Sequence, residues 1–397
     1  GVIAEVGTVL HPNGHRIVEG GGLLLAPAFV DPHVHLRTPG REDEETIASG
    51  TKAAAAGGFC AIFAMPNTEP VVDSAAVLGS LIEDAKAQAE VPVGFLAAIT
   101  RGQDGAELTE MAELAEQGAA GFTDDGRPVV PPALMRRALQ YHGITGRRLA
   151  LHCEEPTLSR GAQMHEGAVS AELGFTGYPS VAESVMVERD LSLAAYEQAP
   201  LHLLHLSARE SVEALRAAQA NGVAATAEVT PHHLCLTEEA VRTLDPNLKM
   251  NPPLRSEDDR SALVGALRDG TIGSVATDHA PHARHEKEVP FEAAPFGVTG
   301  LETAFAALYT SLVEPGLLPL ETLLERMSGG PARAYGLEPP RIAVGAPANL
   351  VLLDTQATWR VEEDRFRSRS ANSWLLGQTL RGQVRMTVAA GRMAFDG

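Results

Sequence analysis

Two histidines one residue apart, His33 and His35, follow an apolar run in the stretch Phe29-Val-Asp-Pro-His-Val-His-Leu-Arg37. Side chains alternate along a strand, so both imidazoles point to one face and make half a metal site. Further groups able to ligate a metal or carry a proton recur downstream: Asp124-Asp125, His152, His205, Asp278-His279 and His282, with Asn67 and Asn251 between them. Each has a plainer reading when taken alone. Thr123-Asp-Asp-Gly126 reads as a turn with an Asx hydrogen bond, His152 and His205 as satisfied core histidines, and His142 and His165 as ordinary helix or loop residues. His232-His233 reads as structural near a rim, and the acidic run Glu42 to Glu45 as a solvated helix start. Together they suggest more, because imidazole and carboxylate without thiolate suit zinc or a similar divalent ion in an open, catalytic coordination sphere. Water on zinc has its pKa lowered from about 15.7 to about 7, which makes a hydroxide nucleophile at neutral pH. Two dications, one hydroxide and two aspartates would leave a net charge of about +1, which favours an anionic substrate.

The elements that must position these groups follow a repeating pattern. Apolar strands are expected over 26–31, 59–65, 93–100, 119–123, 148–152, 201–206, 223–229 and 273–277. Amphipathic helices are expected over 44–56, 73–90, 107–117, 132–142, 181–197, 208–221, 257–268 and 301–312. Asp73 and Ser256 serve as start signals, and Gly57, Gly118 and Asn221 as stops. Near-continuous apolar strands alternating with helices imply parallel strands covered on both faces. Eight such units predict an α/β fold, a (β/α)8 TIM barrel. Barrel chemistry sits at the C-terminal strand ends, and the candidate ligands fall there.

The two ends of the chain read differently. Residues 1–25 are rich in Gly and Val, with alternating runs at 1–6 and 16–19. After Pro331 come strand-like pieces at 348–354, 359–361, 379–382 and 386–391, spaced like a small β-sandwich. The expected division is a small β-sandwich domain from residues 1–25 and 335–397, beside a metal-dependent catalytic barrel of residues 26–334.

A net charge of −19 argues against nucleic acid or an anionic membrane as partner, so an anionic substrate must be held by local cations. No apolar run approaches the roughly 18 residues of a membrane span, and no signal peptide is read at the start; a cytoplasmic protein is expected. Cys60, Cys153 and Cys235 form no Cys-x-x-Cys and are expected to be reduced, mostly buried thiols.

Several segments together resemble the amidohydrolase superfamily, and within it the dihydroorotases of the long bacterial type. They include 30–37 with Pro39-Gly40, Met65-Pro-Asn-Thr68, Phe122-Thr-Asp-Asp-Gly126, His152-Cys-Glu-Glu155, His205-Leu-Ser207, Thr230-Pro-His-His233, Lys249-Met-Asn-Pro-Pro-Leu-Arg255, Thr277-Asp-His-Ala-Pro-His282 and Pro295-Phe-Gly297. The resemblance implies that His33, His35 and Asp278 hold one zinc, and that His152 and His205 hold another, with Asp125 bridging. Asp125 is preferred to Asp124 for its 27-residue offset from His152. Many relatives bridge with a carboxylated lysine, but Lys52, Lys86, Lys249 and Lys287 all lie far from strand 4, so an aspartate bridge is consistent. One or two zinc ions per chain are implied, two being expected.

The resemblance further implies interconversion of N-carbamoyl-L-aspartate and L-dihydroorotate, with metal hydroxide attacking the ring amide carbonyl and Asp278 shuttling the proton. Arg37, Asn67 and His282 would hold the substrate carboxylate, a task suited to a guanidinium with paired donors. Asn251 and backbone groups of Phe296 and Gly297 would meet the ring's amide edges. A homodimer is implied, as is scope for association with aspartate transcarbamoylase. The rival readings are a hydantoin, dihydropyrimidine or allantoin amidase, disfavoured by the carboxylate-binding trio, and a non-catalytic scaffold, disfavoured by six retained ligands.

Overall fold

The computed structural model describes residues 1–10, 14 and 16–397. Its strands are β1 (Leu24–Pro27), β2 (Phe29–Val34), β3 (Phe59–Ala64), β4 (Val93–Ala97), β5 (Gly121–Phe122), β6 (Leu149–Leu151), β7 (Met164–His165), β8 (Gly177–Tyr178), β9 (Leu201–Leu203), β10 (Ala225–Val229), β11 (Ser274–Val275), β12 (Leu350–Arg360), β13 (Thr379–Ala389) and β14 (Arg392–Asp396). Eight of them form one parallel sheet in the order β2-β3-β4-β5-β6-β9-β10-β11. The sheet closes on itself past β11, where Val34 bridges to His279 and the His35 N–H donates to the His279 carbonyl at 2.8 Å. The expected (β/α)8 barrel is therefore the architecture, and β7 with β8 makes a small separate ribbon.

All eight expected barrel strands have a counterpart, but most are shorter than the apolar runs suggest. For β9 and β11 the reason lies at their C-terminal ends. His205 and Asp278 adopt positive φ angles of 27° and 48°, so the backbone leaves the ladder just where these side chains turn inward. Non-glycine residues held in that region store strain, a feature concentrated at functional sites.

The expected helices are present as well. Helix Ile47–Ala56 starts with a reciprocal Thr46–Ser49 capping box, and helix Glu257–Asp269 starts with a box between Ser256 and Asp259. Asp73 is not a cap: Ser74 precedes helix Ala75–Gln88, and the Asp73 carboxylate accepts the Gly102 N–H at 2.9 Å. Gly57 ends its helix against another segment, since a Cβ there would stand 2.1 Å from the Leu301 carbonyl oxygen. Phe29, fully buried, packs against Phe59 and Phe305 with ring centroids 5.8 Å away in each case, which fastens β2 to β3 and to helix Ala304–Leu308.

Beside the barrel lies an antiparallel sheet in the order β1-β12-β13-β14, so segments from both parts of the chain build it. The run expected as one strand over 26–31 divides at Ala28. The Ala28 N–H donates to Asn349 in the small sheet and the Phe29 N–H to Gly58 in the barrel. Conversely, the pieces expected at 348–354 and 359–361 are one strand, β12, with an irregularity between Asp354 and Thr358. There the Asp354 carboxylate accepts the N–H groups of Gln356 and Ala357 at 3.0 and 2.9 Å. Such an Asx interaction makes a bulge that resembles a strand end in sequence. The N-terminal runs are not strands: Val2 makes a single bridge to Pro347, and residues 16–19 have no ladder, leaving Ile17 and Val18 exposed.

Candidate metal centre

β2 and the residue just past its end deliver the first two imidazoles. Asp31 fixes that strand end, accepting from the His33 N–H and from both the Thr277 N–H and hydroxyl, which ties it to the segment past β11. Burial pushes the Asp31 carboxyl up to about 7 despite those hydrogen bonds. His35 is oriented by Asn67, whose Oδ1 accepts from Nδ1 at 2.9 Å. The Nε2 atoms of His33 and His35 then stand 3.4 and 3.1 Å from Asp278 Oδ1.

A second group faces the first. His152 Nδ1 and His205 Nε2 lie 3.1 Å apart and 3.6 and 3.4 Å from Asp125 Oδ1. The other oxygen of the same carboxylate, Oδ2, is 3.5 Å from His33 Nε2 and 3.6 Å from His35 Nε2. Asp125 therefore presents one oxygen to each group. Asp124 turns away and serves the fold, accepting the N–H groups of Ile99 and Thr100 and the Thr100 hydroxyl.

The six residues fit a divalent metal. With bonds of about 2.1 Å, tetrahedral ligands stand about 3.4 Å from one another, which matches separations of 3.1 to 3.6 Å among these atoms. His33 Nε2 is buried without a hydrogen-bond partner between two carboxylates, a place that only a proton or a cation suits. The electrostatics agree. Burial would raise Asp125, yet the charge of the neighbouring His33 and the imidazoles of His152 and His205 hold it well below the usual carboxylate range. Burial would lower His152, but Asp125 and Glu154 push it up to about 10. These carboxylates gather positive charge between them.

A cavity of about 160 Å³ opens over this centre, and Arg37, Asn67, Asn251, Phe296 and Gly297 line it together with His35, Asp125, His152, His205 and Asp278. Arg37, at φ 58°, is buried, pairs with Glu44 Oε2 at 2.9 Å and donates to the Pro281 carbonyl at 3.1 Å. Burial and the neighbouring Arg41 bring its pKa down to about 10, so it stays charged. Asn251 donates to Glu154 at 2.9 Å, and Glu154 in turn contacts His152 Nε2 at 2.9 Å. His282 stands behind the wall: its Nε2 is 2.8 Å from the Phe296 carbonyl and 3.4 Å from Arg37 Nη2.

Three features of the site differ from the sequence reading or escape it. The acidic run 42–45 is not a solvated helix start, because Glu44 and Glu45 are buried. Glu44 balances Arg37 and Arg41, and Glu45 contacts His279 Nε2 at 3.2 Å and the Ser368 hydroxyl. Lys249 is also buried, with Nζ donating to the carbonyls of Phe291 and Glu292 at 2.9 and 3.0 Å, which pins the loop bearing Phe296 and Gly297. Glu228, on β10, is fully buried against His33 Nδ1 at 2.8 Å and His202 Nε2 at 2.9 Å. An acidic residue inside Ala225-Thr-Ala-Glu-Val229, an otherwise buried parallel strand, is the signal that could have found it. His233 is structural, as read, between the Thr230 hydroxyl at 2.7 Å and the Pro252 carbonyl at 3.0 Å.

A closed parallel barrel whose strand ends carry such a centre, with an antiparallel sheet beside it, is the architecture of an amidohydrolase-type enzyme. The same fold is seen in the L-hydantoinase (dihydropyrimidinase) from Arthrobacter aurescens, with a TM-score of 0.85 and 25% identity over 95% of this chain and 86% of that one. It is seen also in dihydropyrimidinase from Brevibacillus agri, with a TM-score of 0.84 and 21% identity over 100% of this chain and 90% of that one. The profile of a family described as dihydro-orotase-like matches residues 22–211. The dihydroorotase of Pelotomaculum thermopropionicum is 45% identical over 100% of this chain and 92% of its own length, and that of Geobacter metallireducens is 43% identical over 100% and 93%. The chain belongs to the dihydroorotase family.

Proposed function

We propose that this protein is a zinc-dependent dihydroorotase, interconverting N-carbamoyl-L-aspartate and L-dihydroorotate in de novo pyrimidine biosynthesis. The observation that carries the reading is Arg37, a buried guanidinium in the wall of the cavity that Asp125 and Asp278 also line. Glu44 and the Pro281 carbonyl meet this guanidinium at Nε, and a neutral hydantoin or dihydropyrimidine ring has no carboxylate to take up its terminal N–H groups. His33, His35 and Asp278 would hold one zinc, His152 and His205 a second, and Asp125 both. Zinc bound there would polarise the ring amide carbonyl and lower the pKa of a water molecule towards neutrality.

The chain's own residues do the rest. Arg37, supported by His282 and Asn67, receives the substrate carboxylate, and a charge-assisted bond of this kind is worth about 1.5–3 kcal/mol. Asn251 and the backbone of Phe296 and Gly297 hold the ring's amide edges, with Lys249 keeping their loop in place. Asp278 has the most exposed side chain of the six ligands, at 12%. Its Oδ1 faces the imidazoles, which leaves the other oxygen to take the proton of the adding water and pass it to the ring nitrogen as the C–N bond breaks. In the reverse direction the same atoms close the ring.

We assign the catalytic barrel to residues 28–334 and the small domain to 1–27 and 335–397, moving the expected boundary after residue 25 by two residues because all of β1 pairs with β12. A cytoplasmic homodimer able to associate with aspartate transcarbamoylase completes the proposal; among the described residues no helix is long and apolar enough to cross a membrane. The test is steady-state hydrolysis by zinc-loaded protein of dihydroorotate, hydantoin, dihydrouracil and allantoin side by side. Selective turnover of dihydroorotate is expected, and preference for a ring without a carboxylate would overturn the reading.

A further inference from the structure

Beneath the metal centre the barrel interior holds a line of buried polar groups that the proposed reaction does not use. Glu228 Oε1 contacts His33 Nδ1 at 2.8 Å, and Glu228 Oε2 contacts His202 Nε2 at 2.9 Å. His202 Nδ1 is 2.8 Å from the Thr226 hydroxyl, which also accepts from Arg148 Nη1 at 2.9 Å. The side chains of His33, His202 and Glu228 are fully buried.

Donor and acceptor bookkeeping fixes the hydrogens on both sides of Glu228. An ionised carboxylate only accepts, so both nitrogens facing Glu228 must carry hydrogens. Arg148 only donates, so the Thr226 oxygen accepts from it, and the Thr226 hydroxyl hydrogen can go either to His202 Nδ1 or to the Leu201 carbonyl 3.4 Å away. Every polar atom in the line is matched, from Arg148 through Thr226, His202 and Glu228 to His33 Nδ1. The one group left over is His33 Nε2, the atom without a partner, aimed between Asp125 and Asp278.

We propose that Glu228 is a positioning residue that locks His33 in its Nδ1–H form, so that the Nε2 lone pair is presented to one metal position, with His202 locking Glu228 in turn. The inference rests on the assignment of His33 as a metal ligand, not on the identity of the substrate. Carboxylates behind metal-bound histidines typically change metal affinity by about 10- to 100-fold when removed. The position that His33 serves should respond far more than the other, because Glu228 meets the His33 ring at 2.8 Å, whereas it reaches the second group only through the His205 backbone N–H at 3.4 Å; the ring partners of His152 and His205 are each other, Asp125 and Glu154. Glu228→Gln is the direct variant. Its amide offers one donor and one acceptor end, so it cannot accept from both rings, and one imidazole must change its proton.

The test measures zinc affinity by competition with a chromophoric chelator, together with the ¹⁵N NMR spectrum of histidine-labelled protein. In Glu228→Gln, one zinc should bind about 10- to 100-fold more weakly and the other change far less, with a cooperative unfolding transition retained and with Glu228→Asp recovering part of the loss. In the unmodified protein, His33 Nδ1 should give the signal of a protonated ring nitrogen both with and without zinc. If the Gln variant does not fold, that spectrum decides alone. Unchanged affinity at both positions, or an unprotonated His33 Nδ1 in the zinc-loaded protein, would overturn the assignment. Either result is independent of which substrate is hydrolysed.

Discussion

Asp125 is the residue on which a two-metal reading depends, and Asp125→Asn is the perturbation that isolates it. Its Oδ2 stands 3.5 and 3.6 Å from His33 and His35, and its Oδ1 stands 3.6 and 3.4 Å from His152 and His205, so one carboxylate serves both groups. Asparagine keeps the shape and one carbonyl oxygen, but turns an amide NH2 towards the other group and removes the negative charge. Two unit charges about 4 Å apart at an effective dielectric of about 20 interact by about 4 kcal/mol. At 1.36 kcal/mol per tenfold, that is about three orders of magnitude in binding. The variant should therefore keep at most one zinc after gel filtration, with the weaker position losing about a thousandfold in affinity on that same electrostatic argument. Metal analysis and chelator competition read both quantities, and a retained unfolding transition shows that the fold survives. Two zinc ions held with affinities within tenfold of the unmodified protein would refute the bridging role.

Other consequences follow from individual residues. His152 is pushed up to about 10 in the metal-free protein, so it carries a proton at pH 8 that zinc must displace. Zinc added in weak buffer at pH 8 should release protons, and a pH indicator showing none would contradict the assignment. The same proton stabilises the metal-free fold fully below the imidazole's ordinary 6.5 and less as pH rises towards 10, so urea midpoints of that form should fall over this range. Asp278→Asn should cut turnover by about 10²- to 10⁴-fold with substrate affinity nearly intact, as expected for a lost proton acceptor. A near-normal kcat would remove that role. Lys249→Met releases the carbonyls of Phe291 and Glu292 and should raise KM more than it lowers kcat; an unchanged KM would show that the loop holds itself.

The parts of this protein legible in its sequence were those that repeat or stand out chemically. The strand–helix alternation marked the barrel because buried parallel strands are apolar throughout, and helix Val181–Glu197 has the bounds expected of it. The ligand candidates were visible because His and Asp are conspicuous at the ends of apolar strands. What did not show was pairing across the fold. Glu44 and Glu45 look like surface acids until Arg37, Arg41 and His279 are brought against them. Glu228 is one acidic letter in an apolar strand, and its partners lie 195 and 26 residues away in the chain. The passage of the chain between sheets at Ala28 and the fusion of two short pieces into β12 depend on hydrogen-bond partners that local pattern does not carry.

The central claim is that a guanidinium selects the substrate through its carboxylate, and dihydrouracil, the same ring without that group, tests it most directly. The measurement is the ratio of kcat/KM for dihydroorotate to that for dihydrouracil in the unmodified protein and in Arg37→Met. The ratio should be large in the first and fall by about 10- to 150-fold in the second, the equivalent of one charge-assisted hydrogen bond of about 1.5–3 kcal/mol. A ratio near unity in the unmodified protein, or one that Arg37→Met leaves unchanged, would contradict it.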